Sequence, residues 1–297
     1  MKKNKKSSRS AWISLLFLLA FPACYEEVEG CLDVAAKNFA VDADAICPDD
    51  CCLYPSLKLL LNHRVGTPAQ SSALVYLDSI YHDALGQPFR LQLMQYFLSN
   101  FELIRPSGES VRVTDQLAIQ AYNSDGSLSD HSLIDDYLLI NPSFSRSLSV
   151  GEIKASGTFE AIRFSLGLDE LANATDPGSV KEDHPLGVQE EQMYISKDQG
   201  YDFIKLGLLR DTISTDTIPA IVDISGSANR IDYFLSFGQP FDLNPGFNIT
   251  LTLHIDYGVW LSSITDIKND SAEKIAEKTV SGLSQAITLL AITVDNR

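Results

Sequence analysis

The sequence predicts a mainly β protein: an antiparallel β-sandwich with one C-terminal helix, preceded by a small disulfide-rich tether. From Leu57 onward, apolar and polar residues alternate in many short segments, and Gly-, Pro- and Asp-containing turns separate them. Helical spacing is confined to the stretch after Ser271, and four cysteines cluster ahead of the first alternating segment. With 297 residues, 45% hydrophobic and 9% aromatic, the chain can bury a sizeable core.

Residues 1–23 read as a signal segment. Lys2, Lys3, Lys5 and Lys6 precede an apolar stretch from Ala11 to Ala20, and Phe21-Pro22-Ala23-Cys24 follows. The stretch is shorter than the about 20 residues a membrane span needs. The pattern resembles the lipobox of bacterial lipoproteins, which implies that Cys24 is acylated and becomes the mature N-terminus. This places the chain in the cell envelope, lipid-anchored to the outer membrane and either periplasmic or surface-exposed. Tyr25, Glu26, Glu27 and Glu29 then read either as an acidic export tag of the kind found on Bacteroidetes-type surface lipoproteins or as a solvated acidic linker.

Residues 24–56 form the tether. With Cys24 acylated, Cys31, Cys47, Cys51 and Cys52 remain, an even number within 22 residues and suited to an oxidising compartment. A bond between the neighbours Cys51 and Cys52 is strained, which leaves two pairings: 31–51 with 47–52, or 31–52 with 47–51. A zinc site lacks its paired C-x2-C knuckles. An EF-hand starting at Asp42 would need glycine where Cys47 stands and glutamate where Leu53 stands.

Residues 57–297 form the β domain. Leu57, Leu59, Leu61 and His63 share one strand parity. Further strands are expected at 72–76, 93–105, 109–113, 147–153, 158–166, 201–209, 218–224, 231–235 and 247–257. Turns fall at Pro106-Ser107-Gly108, Ser124-Asp125-Gly126, Asp176-Pro177-Gly178 and Asn244-Pro245-Gly246. Asp270 or Ser271 can cap the helix, with Ile275, Thr279, Leu283, Ala286 and Leu290 along its apolar face. Its expected place is over an edge or open end of the sandwich.

Charge and missing motifs narrow the function. The formal charge is −16, and loss of the first 23 residues, which carry five cations and no acid, takes it to −21. Such a chain repels nucleic acid and anionic lipid, so the membrane enters only through the anchor at Cys24. No G-x-S-x-G, H-E-x-x-H or glycine-rich phosphate loop is present. Glu190-Glu191 and Asp135-Asp136 are neighbours whose side chains point to opposite faces of a strand, unlike a working acid/base pair. A non-catalytic role follows.

Several segments resemble the MbnP-like family: Asn62-His63-Arg64-Val65-Gly66, Gln95 to Leu103, Ile162 to Asp169, and Met193 to Leu206. The order and spacing run from about Leu57 to the terminal helix. The resemblance implies an extracytoplasmic β protein, and some members bind copper with histidine and with a tryptophan that becomes oxidised. The family usually shows M-[FY]-W-x-W, where this chain has Ile195 and Lys197 in place of the tryptophans. A family histidine position falls at Asp223, within Asp223-Ile224-Ser225-Gly226.

The histidines follow from strand parity. His63 points inward near a strand end, as a copper ligand or a core histidine with one hydrogen bond. His254 shares the parity of Thr250 and Thr252 and is expected on the solvent face. His184 and His82 lie in segments able to swing toward a site, and His131 belongs to a surface loop. A metal site would therefore draw on His63, His184 and Asp223, a donor set that favours copper or zinc over calcium. The leading expectation is a lipoprotein of this family with copper as its metal ion. The alternative is a metal-free surface binding or adhesion module, and no motif names its protein or glycan partner.

Overall fold

The structure is a computed structural model that describes residues 26–48, 51–142, 147–188, 193–210, 212 and 218–295. The signal segment and Cys24 lie outside the described residues. In the tether, β1 (Glu29–Gly30) pairs in parallel with β2 (Ala45–Ile46). Disulfides join Cys31 to Cys52 and Cys47 to Cys51, with Cα separations of 5.1 and 6.0 Å. Local hydrogen bonds show why this pairing is adopted. Asn38 donates to the Cys51 carbonyl and accepts from Leu53 N–H, each at 2.8 Å, while Phe39 bridges to Cys31, so Cys52 is carried onto Cys31. The tether is joined to the domain where Tyr54 donates to Asp33 at 2.9 Å and its ring lies 3.6 Å beneath the Lys154 ammonium.

The β domain follows in chain order. It begins with β3 (Ser56–Thr67), β4 (Gln70–Ala73), β5 (Tyr81–His82) and β6 (Pro88–Ile104). Next come β7 (Ser110–Arg112), β8 (Gln116–Tyr122), β9 (Leu128–Ile134), β10 (Leu138–Ile140), β11 (Ser147–Glu152) and β12 (Gly157–Leu166). After the short helix α1 (Glu170–Asn173) come β13 (Tyr194–Ser196), β14 (Gly200–Leu209), β15 (Ala220–Ser225), β16 (Ile231–Leu243) and β17 (Asn248–Asp256). The chain closes with α2 (Tyr257–Ser262), α3 (Ala272–Gly282) and β18 (Ile287–Asp295).

A nine-stranded sheet runs β13-β14-β6-β12-β16, with β5, β7 and β10 on β6 and β15 on β14. A five-stranded sheet runs β11-β3-β17-β18, with β4 on β3. The β8-β9 hairpin stands apart from both, and its turn carries Gly126 at φ +81° as Ser124-Asp125-Gly126 requires. Leu57, Leu59 and Leu61 join Ile249, Leu251 and Leu253 on the inner face of the smaller sheet, all essentially inaccessible. They belong to one core with the stacked rings of Phe101, Phe164 and Tyr233.

Within this sandwich two features depart from the expected pattern. β3 and β17 run parallel, from Leu57 beside Ile249 to Arg64 beside Asp256, while the other pairings of the β domain are antiparallel. Parallel neighbours need a crossover, here supplied by the entire larger sheet. The helix also stops at Gly282 rather than continuing through Leu290. Ser271 caps it, accepting from Lys274 N–H at 3.3 Å, and Ile275 and Thr279 face inward against β15. Beyond it the β-branched run from Ile287 pairs with β17, which would otherwise be an open edge.

β6 runs beyond the expected 93–105 at its start, and a bulge at Asn100 lets it bend without breaking. Asn100 takes φ +58°, and the buried Asp136 carboxylate accepts Asn100 N–H at 3.1 Å, Phe101 N–H at 2.9 Å and Arg112 Nη2 at 3.2 Å. Burial raises the Asp136 pKa, and Arg112 and the two amides oppose that rise.

Candidate functional site

His63 enters from β3 with the inward parity its neighbours require. Its Nδ1 lies 2.8 Å from the Tyr257 hydroxyl, and the two rings stack at 5.8 Å. Tyr257 is brought there by the first turn of α2, whose cap is Asp256. One Asp256 carboxylate oxygen accepts both Gly258 N–H at 2.8 Å and Gly66 N–H at 2.7 Å. Behind it, the Tyr96 hydroxyl on β6 lies 2.9 Å from that of Tyr257, and Trp260 packs against both rings. The result is a hydrogen-bonded line, His63-Tyr257-Tyr96, leading from a groove of about 470 Å³ into the core. Asn62, His63, Arg64, Leu74 and Pro142 line that groove. Burial pushes the His63 imidazole down to about 4, so it is neutral at physiological pH. Burial likewise raises both phenols above the ordinary tyrosine range. Tyr257 could have been found in the sequence, because Asp256-Tyr257-Gly258 opens a helix after a strand-length run.

His184 occupies a different place, in the loop that leads from α1 to β13. Leu186 N–H donates to its Nδ1 at 3.0 Å, which leaves the proton on Nε2 to be donated to Asp135 at 2.9 Å. Both ring nitrogens are therefore engaged. The Tyr201 hydroxyl fixes this loop by donating to the Leu186 carbonyl at 2.6 Å. A groove of about 530 Å³ beside it is lined by Gln116, Asp135, Ser179, Lys181, Asp183 and His184. Ser179 is not aimed at the imidazole: it donates to the Asp176 carbonyl at 2.7 Å and accepts Gln120 N–H at 3.0 Å.

Asp223 lies on β15, half-exposed, with its carboxylate 3.9 Å from Lys205 Nζ. The same ammonium is 3.2 Å from Asp202, which is buried beside it on β14. Burial, followed by the Asp223 charge, raises the Asp202 carboxyl to about 6. Lys205 thus supplies the cation these two acids face.

His254 corrects the parity argument, since it is 2% exposed rather than solvated. Gly66, at φ +106°, turns the end of β3 across the outer face of β17, and His254 Nε2 donates to its carbonyl at 2.8 Å. His131 is on the β8-β9 hairpin with Nε2 2.8 Å from Ser129 Oγ, and His82 is exposed on β5. Of the two positions aligned with tryptophans, Ile195 is exposed on β13 and Lys197 begins the turn into β14.

These placements keep the expected donors apart. His63 is on the smaller sheet, Asp223 on the larger, and His184 in a loop beside Asp135. Among the described residues, which include all five histidines, no group of three His, Cys, Asp or Glu side chains could hold a metal ion. Copper needs several donors converging on one point, and the four tether cysteines are in disulfides. Among the described residues, His63, His184 and Asp223 do not form one copper site.

The profile of the MbnP family matches residues 54–279. The solved structure of MbnP from Methylosinus trichosporium is similar at 13% identity and a TM-score of 0.36, over 67% of this chain and 75% of that one. No curated protein matches the sequence.

Proposed function

The chain belongs to the MbnP family, and from that premise we propose that it is a non-catalytic, lipid-anchored envelope protein whose β domain serves as a metal-free binding module. The observation that carries this reading is the isolation of His63. Its Nδ1 is engaged by Tyr257, while His184 is held by Asp135 and Asp223 faces Lys205, so no second donor converges on it. Isoleucine and lysine at the two aligned tryptophan positions support the same conclusion, since neither can undergo indole oxidation. The engagement of Ser179 and His184 by other partners supports a non-catalytic role, and the net charge of −16 disfavours nucleic acid. Anchoring at Cys24 is supported by the charged, apolar and small-residue order of the first 24 residues.

Copper titration tests the reading. Cu(I) and Cu(II) added to the mature protein, with His63→Ala and His254→Ala alongside, should give no stoichiometric uptake at micromolar metal. One copper per chain, lost in His63→Ala and kept in His254→Ala, would restore the copper-binding alternative. Mass spectrometry of the native protein should find an acyl adduct at Cys24; an intact Met1 terminus would remove the anchor.

A further inference from the structure

The tether exposes apolar surface out of proportion to its size. Seven of the nineteen large apolar side chains that stand exposed among the described residues fall between Val28 and Leu53. Val41 is 84% exposed, Ile46 64%, Leu53 62% and Val34 61%. The module has little interior of its own in which to bury them: Cys31 and Ala36 are inside, and its fold is closed by the two disulfides. Part of its surface is committed to the domain. Ala36 backbone packs so closely on the turn between β16 and β17 that a side chain at Gly246 would meet its carbonyl oxygen at 2.9 Å.

The reach of the chain says what lies beside these exposed side chains. Glu26, the first described residue, is two residues after Cys24, and two residues span at most about 7 Å. With acyl chains on Cys24, the module is held at the depth of the lipid headgroups, where exposed Val, Ile and Leu side chains leave water for the acyl boundary. Glu26, Glu29, Asp42 and Asp44 on the same module repel an anionic surface, so the fit is to neutral, zwitterionic headgroups. We propose that the disulfide module is a membrane foot, whose exposed apolar side chains insert into a zwitterionic bilayer surface beside the anchor. The inference rests on the lipid-anchor reading of Cys24.

The test uses the mature lipoprotein with labelled Ile, Leu and Val methyl groups in phosphatidylcholine nanodiscs containing a 5-doxyl lipid. The methyl signals of Val34, Val41 and Ile46 should broaden several-fold more than those of Val188 and Ile218, which are equally exposed but belong to the β domain. Replacing a third of the lipid with phosphatidylglycerol should reduce the difference. Equal broadening in a sample whose mass carries the acyl adduct overturns the foot and leaves the anchor standing, as contact with a protein partner in place of lipid would. A sample without the adduct overturns both, because nothing else then holds the module at the bilayer.

Discussion

His63 and Asp202 are opposite cases of burial acting on an ionisable side chain, and together they shape the pH dependence of stability. The folded imidazole titrates at about 4, below the ordinary 6.5, so between those values the unfolded chain binds the extra proton. Stability from this group is complete above pH 6.5 and is lost as pH falls toward 4. Asp202 behaves in reverse. Its folded value of about 6 lies above 3.8, so the folded chain holds the extra proton and stability falls as pH rises through that window. Urea unfolding at pH steps from 4 to 7 should therefore show partial cancellation in the parent. His63→Gln should remove the part that rises with pH, on the order of 3 kcal/mol at most. Asp202→Asn should remove the part that falls. Parallel profiles for all three proteins would contradict both assignments.

Among the elements, β18 does more for the fold than its position at the chain end suggests. It pairs with β17 from Asn248 beside Asp295 to Ile255 beside Ile287 and replaces that largely buried strand as the edge of the smaller sheet. Without it, β17 would offer a nine-residue row of free backbone groups next to Ile249, Leu251 and Leu253. A chain ending at Ala286 should keep its other pairings and associate through the exposed edge, giving dimers or larger species by light scattering. A monomer as stable as the parent would show that β18 is dispensable. The edge of the larger sheet at β16 differs, because the Tyr233 hydroxyl ties it to the Leu283 carbonyl at 2.5 Å.

For the whole molecule, the division of labour is between a domain with its own core and a module closed by covalent bonds. The domain core runs from Leu57 to Ile287 and contains neither disulfide. Reduction should release residues 28–53 to protease while leaving the denaturant midpoint of the domain nearly unchanged, with limited proteolysis yielding a fragment that starts near Tyr54. Loss of the cooperative domain transition on reduction would mean that the module is part of the folding unit.

Local pattern determined the β class, most strand positions, the helix start at Asp270 or Ser271, the inward face of His63 and the reduction of the disulfides to two pairings. Each depends on neighbours within a few residues, where side-chain periodicity and turn chemistry act. Tertiary structure decided the rest. The parallel pairing of β3 with β17 joins segments 192 residues apart, as Ser56 N–H donating to Asn248 shows, and no local period encodes it. His254 follows the outward parity of its strand, yet it is buried because a turn at Gly66 folds over that face. The helical spacing that ran on to Leu290 gave way, after a 3-10 turn at Leu283–Gln285, to a strand from Ile287 because β17 had an edge to be paired. His63, His184 and Asp223 were each legible as donors, but whether donors converge is a property of sheet order. Here that order puts a tyrosine, an aspartate and a lysine beside them instead of one another.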